Sequence, residues 1–301
     1  MSNKLLLSAM GGLVSPDFIQ HYQSKGYKII GIDASKESVG RFFCDEFYQV
    51  PLAKNENIEE YLNVISNIDF DLFLPWVDEE LLLLVNNNIP QDIMSKIVIS
   101  DMDSVKLCLD KVKFHKFCTN NNILVPKLKT TTPAFVRRRM SRGSKGATKI
   151  KDTKILKHYL DEKHLVTEYI DGVEYTIDVL VNTNGDFIFS VPRERTSTNA
   201  VSVSGKIVMD DILIQFSKDV VDKFNFIGPI NIQVIRESKS DKIYLIEVNP
   251  RLAGTSILSI KAGFDLIDTT YNMIINKQIK KNFKINDKIK MNRYLKGYFY
   301  E

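Results

Sequence analysis

The sequence has few of the residues that build metal clusters or disulfide frameworks. Its three cysteines, Cys44, Cys108 and Cys118, are odd in number and lack Cys-x-x-Cys spacing. They therefore predict reduced core thiols in a cytoplasmic protein. The four histidines form no ligand pattern with these cysteines, which argues against a zinc site.

Long apolar runs are also missing. No run approaches the roughly 18 residues that a membrane-spanning helix needs. Leu81–Val85 directly follows Asp-Glu-Glu and predicts a buried helix. The N-terminus lacks the layout of a signal peptide. We therefore expect no membrane partner.

The charge is not extreme in either direction. The net charge of +4 and the pI of about 8.7 are only mildly basic. No aromatic stacking motif or basic recognition helix accompanies them, so nucleic acid is not an expected partner. Basic residues cluster most densely in 137–151, and the phosphates of a nucleotide explain that cluster more simply than DNA does.

The sequence lacks both common glycine-rich nucleotide motifs. Gly11-Gly12 follows a predicted strand, and the next strand ends at Asp33, an order typical of dinucleotide-binding units. The Gly-x-Gly-x-x-Gly spacing of those units is absent, so NAD binding remains only an alternative. The loop that contains Gly143 and Gly146 is not a Walker loop either.

Two halves of different character are predicted. Residues 1 to 100 alternate strands and helices, which indicates a small doubly wound parallel α/β sheet. The second half begins with a helix over Ser104–Asn120, for which Ser104 is a candidate N-cap. Strands and helices then follow without strict βαβ order, which indicates an α+β arrangement. In the first half the patterns predict strands at 5–7, 27–33, 46–50, 71–74 and 97–99, and helices at 16–25, 58–68 and 79–86.

The most informative segment is Tyr244–Arg251, which alternates like a strand with one polar face. A second strand-like run, Asn231–Ile235, precedes it across a charged turn centred near Ser240. The predicted pairs are Gln233 with Glu247 and Asn231 with Asn249 on the polar face, and Val234 with Ile246 and Ile232 with Val248 in the core.

The polar face offers oxygen ligands without sulfur or imidazole. Gln233, Glu247 and Asn249 provide one carboxylate and amide oxygens, which suit Mg²⁺ that shares its shell with water and substrate phosphates. Arg251 follows the strand and could contact phosphate oxygens or developing negative charge. The alternative interpretation is an edge hairpin with a solvated face.

A basic loop, Val136–Thr148, is a second candidate site. A glycine-bearing turn exposes backbone N–H groups, and flanking cations complement phosphates. The alternative is a mobile basic surface hairpin. The cations are Arg137, Arg138, Arg139, Arg142 and Lys145.

Together these segments resemble the ATP-grasp ligases, in particular the branch typified by the large chain of carbamoyl-phosphate synthase. Lys4–Gly12, Val136–Thr148, Thr167–Asp178 and Glu247–Arg251 follow in the order of that family, over nearly the whole chain. The resemblance implies an α/β and α+β fold. A Rossmann-like domain would span 1–103, and a two-subdomain ATP-grasp domain would span 104–301, with a lid near 125–170 and a large subdomain over 171–301.

The resemblance also implies which residues bind ATP. Cations reach the phosphates, a loop covers them, and backbone groups of the link between the subdomains bind adenine. Arg138 stands where the family often has proline. The implied ATP contacts are Lys111, Arg137, Ser144, Lys145, Gly146, Glu168, Tyr169, Ile170, Glu174 (toward the ribose hydroxyls) and Gln233.

Two further residues are candidates near the reaction centre. Arg193, with Arg195, could meet an anionic acceptor or an acyl phosphate, and its alternative is a solvated charge cluster. Asp178 shares a face with Glu174 and is expected near the metals. Arg251 and Arg193 are the predicted catalytic residues.

The predicted function is ATP-dependent carboxylate–amine ligation through an acyl phosphate. The implied cofactors are ATP and Mg²⁺, with two ions and with Mn²⁺ as a substitute. The expected partners are a small carboxylate and an amine, and a homodimer is envisaged. A non-catalytic ATP-binding regulatory or accessory protein and an NAD-dependent oxidoreductase are the alternatives.

Overall fold

The computed structural model describes residues 3–141, 146–196 and 204–300. The first half contains a parallel sheet, because apolar runs such as Leu5–Leu7 are buried on both faces. Its strand order, β3-β2-β1-β4, matches the predicted α/β arrangement. The strands are β1 (Lys4–Leu7), β2 (Lys28–Asp33), β3 (Glu46–Gln49) and β4 (Leu72–Leu74).

Helices cover this sheet close to the predicted positions. Residues 97–99 form only an isolated parallel bridge, between Ile97 and Phe73, and not the predicted strand. Residues 97–99 do not form a continuous series of strand hydrogen bonds. They nevertheless lie next to β4, at the edge of the sheet where a fifth strand would pair. The helices are α1 (Ser15–Ser24), α2 (Ile58–Ser66), α3 (Asp78–Asn86) and α4 (Gln91–Met94).

The predicted helix over 104–120 is two helices, α5 (Met102–Leu109) and α6 (Lys111–Asn120). Asp110 breaks it, because its backbone is extended and its carboxylate accepts from the N–H groups of Val112 and Lys113. A short acidic side chain competes in this way for backbone donors. Ser104 as N-cap was also wrong, since Asp101 caps α5 and accepts from the Ser104 N–H. The break places Lys111 in the first turn of α6.

A three-stranded antiparallel sheet follows, in the order β6-β5-β7. It lies within the predicted lid. The backbone N–H of Lys111 donates to Arg139 O at 3.1 Å, so α6 is tied to the end of β5. The elements are β5 (Ala134–Arg138), β6 (Thr148–Ile150), α7 (Thr153–Leu156) and β7 (His164–Thr167).

The largest sheet in the described residues is antiparallel, with the order β12-β11-β8-β9-β10-β13. One face packs on α6 and α8 around Ile177, Ile232 and Val248. Its elements are β8 (Gly172–Val181), β9 (Phe187–Arg195), β10 (Ser204–Ile207), α8 (Asp211–Val221), β11 (Gly228–Glu237), β12 (Ile243–Asn249), α9 (Ile257–Lys261), α10 (Leu266–Ile274) and β13 (Lys290–Asn292).

The two halves share one apolar core. Phe18 and Tyr22 of α1 belong to the same buried cluster as Phe264 and Leu266, which lie at the start of α10. Helix α5 also contacts both α3 and β12. The division at 103/104 remains a prediction, because α5 begins at Met102 and bridges the two sheets. No helix in the described ranges is both long enough and apolar enough to cross a membrane.

Candidate functional site

The hairpin of β11 and β12 has the predicted register on its polar face. Gln233 pairs with Glu247, and Asn231 pairs with Asn249. The predicted pair of Val234 with Ile246 was wrong, because a β-bulge makes Leu245 the partner of Val234. A bulge inserts one extra residue and reverses the faces beyond it.

The bulge moves Ile246 out of the core. Leu245 is fully buried in the core of the large sheet, whereas Ile246 lines a small cleft between this sheet and the lid. The Ile246 carbonyl accepts from Nη1 of Arg137 at 2.9 Å. The bulge therefore adds an apolar side chain and a backbone acceptor to the site face.

That cleft brings together most of the predicted adenine contacts. Its volume is about 50 Å³, well below the range of roughly 300–1,000 Å³ that is usual for ligand pockets. Phe135, Ile235 and Ile246 were missed by the sequence analysis. The lining residues are Pro126, Phe135, Arg137, Thr167, Glu168, Tyr169, Ile170, Ile235 and Ile246.

The link residues differ in exposure. Ile170 is buried and Tyr169 is exposed, with the Lys149 ammonium 3.6 Å from the centre of its ring. The Glu168 carboxylate accepts from the Lys127 N–H at 2.9 Å, and the Glu168 N–H donates to Lys127 O at 2.8 Å. The Glu168 side chain therefore stabilises the link.

Two buried cations, Lys111 and Arg137, lie near the carboxylate of Glu247. The Lys111 ammonium lies 3.9 Å from Glu247 Oε2 and donates to Ser141 O at 2.6 Å. Burial lowers the pKa of Lys111, and Glu247 only partly offsets that effect. Burial likewise lowers the pKa of Arg137, which is 7% exposed. Such cations would gain free energy from an anionic ligand.

The predicted metal ligands lie side by side. Asn249 Nδ2 donates to Glu247 Oε1 at 3.3 Å and to Asn231 Oδ1 at 3.2 Å, which leaves Asn249 Oδ1 for a cation. No cluster of three His, Cys, Asp or Glu side chains suited to a metal occurs in the described residues. A hard cation here would have one carboxylate and amide oxygens, and phosphate oxygens would have to complete its shell.

Arg251 is oriented by a residue that the sequence analysis missed. Its Nε lies 2.6 Å from Asp78 Oδ1, and both side chains are largely buried. Asp78 begins α3 in the first half of the chain. Asn231 Nδ2 also donates to Arg251 O at 2.9 Å. Both halves of the protein therefore hold this arginine.

Arg193 is not part of a solvated cluster, so that alternative was wrong. The side chain is 3% exposed and binds Asp178 through Nε at 2.7 Å and Nη2 at 2.8 Å. Its Nη1 donates to Thr255 Oγ1 at 2.6 Å. These contacts tie β9 to the loop that follows Arg251. The catalytic role of Arg193 stays a prediction.

Asp178 lies opposite Asn231, on the same face of the sheet as Asn249, and its place near the metals stays a prediction. Both of its oxygens accept from Arg193, and they also accept from Ser256 Oγ at 2.8 Å and Ser259 Oγ at 2.6 Å. The carboxylate is fully buried. Four hydrogen bonds satisfy it without a metal ion.

The remaining predicted residues are placed as follows. Glu174 forms an ion pair with Arg195, and its ribose role stays a prediction. Gly146 is described with a φ of +75°, and a Cβ there would lie 2.9 Å from Arg138 Nε. Ser144 and Lys145 lie outside the described residues.

Asp33 is engaged within the first half. Its Oδ2 accepts from the Gly11 N–H at 2.7 Å, and its Oδ1 accepts from the Ser35 N–H at 2.8 Å. In a dinucleotide site the equivalent carboxylate binds ribose hydroxyls. This arrangement disfavours the NAD alternative.

Comparison with known proteins indicates the family that this chain resembles. Residues 161–296 match the family model described as "ATP-grasp in the biosynthetic pathway with Ter operon". The C-terminal section of the carbamoyl phosphate synthase large chain from Methanopyrus kandleri is 22% identical over 294 residues, which cover 85% of this chain. They cover 53% of that relative, so the chain spans about half its length.

Solved structures share the fold at low sequence identity. N5-carboxyaminoimidazole synthetase from Staphylococcus aureus, complexed with ADP, has a TM-score of 0.71 at 16% identity, with 95% of this chain and 81% of that chain covered. The biotin carboxylase domain of 2-oxoglutarate carboxylase from Hydrogenobacter thermophilus, in complex with MgADP, ADP and bicarbonate, has a TM-score of 0.70 at 13% identity, with 95% and 73% covered.

Proposed function

We propose that the chain, which shares the ATP-grasp fold, is an ADP-forming ligase that joins a carboxylate to an amine or another nucleophile. The observation that carries the proposal is the buried Lys111 ammonium 3.9 Å from Glu247, beside Gln233 and Asn249, with buried Arg137 bound to the adjacent Ile246 carbonyl. Buried cations beside one carboxylate and two amides provide what a nucleoside triphosphate and its metal require.

The nucleotide would lie between the lid and the large sheet. The adenine ring would enter the cleft between Tyr169 and Ile246 once the lid opens, and the phosphates would extend toward Lys111 and Arg137. Two relatives support this placement, since their structures contain ADP or MgADP. We propose that this chain binds ATP in the same way.

The metal face fits Mg²⁺ in its donor chemistry. Gln233, Glu247 and Asn249 would hold the ion, and we propose a second ion at the same site, with Mn²⁺ as a substitute. When bound, the ion would neutralise charge on the transferring phosphoryl group. The protein contributes Lys111, Arg137 and Arg251, which are already charged and oriented.

The proposed reaction has two steps. A substrate carboxylate oxygen attacks the γ-phosphorus, the bond to the β–γ bridging oxygen breaks, and ADP and an acyl phosphate form. An amine then attacks the acyl carbon, phosphate leaves with the bonding electron pair, and the amine loses a proton to solvent. Arg251, oriented by Asp78, would bind the carboxylate and the developing charge.

The second candidate is a non-catalytic ATP-binding regulatory or accessory protein. Such a protein needs the nucleotide cleft but has no use for an oriented Arg251. The Asp78–Arg251 contact between the halves therefore favours the enzyme. We also propose small-molecule substrates as the partners, and a homodimer that light scattering would test.

Two measurements test the proposal. Calorimetry with ATP and ADP, with and without Mg²⁺, should show micromolar binding, roughly −8 kcal/mol, and far weaker binding of NADH. A screen of amino acids and small carboxylates should then show ADP release, with the product identified by mass spectrometry. Tight NADH binding without ATP binding would refute the proposal, and ATP binding without turnover across the screen would favour the regulatory alternative.

A further inference from the structure

A groove outside the nucleotide cleft runs along α1. Its walls are the solvent-side stripe of α1, helix α9 and the segment around β13. Its volume is about 510 Å³, within the range of roughly 300–1,000 Å³ that is usual for small-molecule sites. None of the residues predicted from the sequence lines it.

The groove is cationic. Among its described lining residues, Lys261, Lys290 and Arg293 carry positive charge and Asp17 carries the one carboxylate. The Lys261 ammonium lies 2.8 Å from His21 Nδ1. An ammonium group can only donate, so the imidazole accepts there and the lysine charge is not neutralised. The excess of cations suits an anionic ligand.

Arg293 is the unusual residue of this groove. Its side chain is 14% exposed, and Nη2 donates to Gly254 O at 2.7 Å. Nε and Nη1 are buried and have no hydrogen-bond partner in the described part of the chain, apart from a long 3.5 Å contact between Nε and Asp17 Oδ2. Burial lowers the pKa of Arg293, the Asp17 carboxylate partly offsets that effect, and nearby Arg193 adds to it. A buried cation that is incompletely paired is costly, and an anion bound nearby would reduce that cost.

Arg293 connects the groove to the loop that follows Arg251. Arg293 donates to Gly254 O, and Arg193 donates to Thr255 Oγ1. The two arginines therefore hold neighbouring residues of one loop. A ligand bound near Arg293 would therefore influence the position of the loop backbone next to Arg251.

We propose that this groove binds an anionic group, a carboxylate or a phosphate, of a small molecule. The group would contact the exposed Lys261 ammonium and lie beside the Arg293 guanidinium, whose charge would attract it. It could belong to a distal part of the acceptor substrate or to a separate effector. In either case the site does not require nucleotide in the cleft.

Calorimetry on the full chain without nucleotide tests this inference, with citrate and inorganic phosphate as probes at low ionic strength. We expect Arg293→Gln and Lys261→Gln each to weaken binding of at least one probe by roughly tenfold, the effect of losing one charge-assisted hydrogen bond. Lys218→Gln is the matched control, because it removes the same charge from exposed α8 and should change binding less than twofold.

Several outcomes separate the possibilities. Undetectable binding of both probes to the wild type, or an equal loss in all three variants, would overturn the inference. If Arg293→Gln fails to fold, Lys261→Gln still tests the inference, because Lys261 is exposed and its substitution should leave the fold intact. Binding lost in Lys261→Gln with wild-type affinity for Mg-ATP would support a separate site. A wild type that binds the probes but no ATP would refute the proposed ligase and leave the groove standing.

Once a substrate is known, the source of the anion can be assigned. Competition between phosphate and the acceptor in turnover would place the acceptor's own anionic group in the groove. A change in kcat without competition would indicate a separate effector. If phosphate binds but does not change the turnover rate, the proposed coupling between the groove and the loop that follows Arg251 would be overturned.

Discussion

Glu247 is the residue on which the candidate site depends. It supplies the carboxylate that lies beside Gln233 and Asn249, its Oε2 is 3.9 Å from the Lys111 ammonium, and its charge partly offsets the lowering of the Arg137 pKa by burial. Glu247→Gln keeps the shape but removes the charge that would bind Mg²⁺. We expect ADP release to fall by at least about 10²-fold, the scale of losing one key electrostatic group.

The control for this variant is Glu237→Gln, at the far end of the same hairpin, where the side chain contacts Ser240. It should retain wild-type ADP release, and circular dichroism should show both variants folded. Normal turnover in Glu247→Gln would mean that the metal lies elsewhere.

Arg251 tests whether the shape of a cation matters as well as its charge. Arg251→Lys retains the charge but loses the planar fork that Asp78 orients. We expect kcat to fall roughly 10²-fold while calorimetry shows nearly unchanged ATP affinity. Arg41→Lys, an exposed position in the first half, should leave both unchanged. Lost ATP affinity would assign Arg251 to nucleotide binding instead.

Lys111 makes nucleotide binding depend on pH. Burial lowers its pKa in the free protein, and a bound polyphosphate would raise that pKa. Affinity is therefore greatest below the free-protein pKa and falls as pH rises through it. Titrations with Mg-ATP between pH 7 and pH 10 should show this loss. Lys111→Met should bind Mg-ATP more weakly, and its affinity should vary less with pH. If the variant's affinity depended on pH as steeply as that of the wild type, Lys111 would be excluded as the cause.

At the scale of the element, the bulge in β12 separates two adjacent apolar residues by role. Leu245→Ala opens a cavity in the core and should reduce the free energy of unfolding by about 2–5 kcal/mol. Ile246→Ala removes apolar contact from the cleft and should weaken ATP binding by about 1–2 kcal/mol. Urea unfolding and calorimetry on both variants would check this assignment. A regular strand ladder without the bulge would instead place Ile246 in the core and Leu245 at the cleft.

The break between α5 and α6 shows how one residue reshapes an element. The pattern over 104–120 predicts a single helix, yet the Asp110 carboxylate caps a new one. It also pairs with Arg139, with Nη2 to Oδ2 at 2.7 Å. The same side chain therefore starts α6, places Lys111 in its first turn and anchors the basic strand β5.

At the scale of the whole molecule, Asp265 joins the two halves. Its carboxylate accepts from Tyr22 Oη at 2.5 Å and from Lys25 Nζ at 2.5 Å, both on α1. Burial opposes ionisation, but the nearby His21 ring and the hydrogen bonds from Lys25 and Tyr22 lower the pKa to about 2. The lowered pKa contributes stability above the unfolded value of 3.8, and that contribution is lost as pH falls through about 2.

Asp265→Asn should therefore reduce the free energy of unfolding by about 2 kcal/mol at pH 7, since one pKa unit corresponds to about 1.4 kcal/mol. The difference from the wild type should narrow between pH 4 and pH 2. Urea unfolding at pH 7, 4 and 3 measures it, with exposed Asp287→Asn as the control. A difference independent of pH would show that lost packing, and not charge, is responsible.

The sequence by itself determined the local features of this protein. Alternation and turn chemistry act over a few residues, so the pairs Gln233–Glu247 and Asn231–Asn249 could be predicted and are confirmed. The same holds for the parallel sheet of the first half and for most helices. The order of the motifs was also sufficient to indicate an ATP-grasp fold.

Only the tertiary structure decided what lies far apart in sequence. Asp78 meets Arg251 across 173 residues, and the burial of Arg193 depends on Asp178, which also accepts from Ser256 and Ser259. The bulge at Ile246 accompanies a bond from Arg137 of the lid, which no pattern within the hairpin reveals. Such contacts arise when separate elements pack together and bury their charges, and the free energy of that packing is not encoded in any short segment.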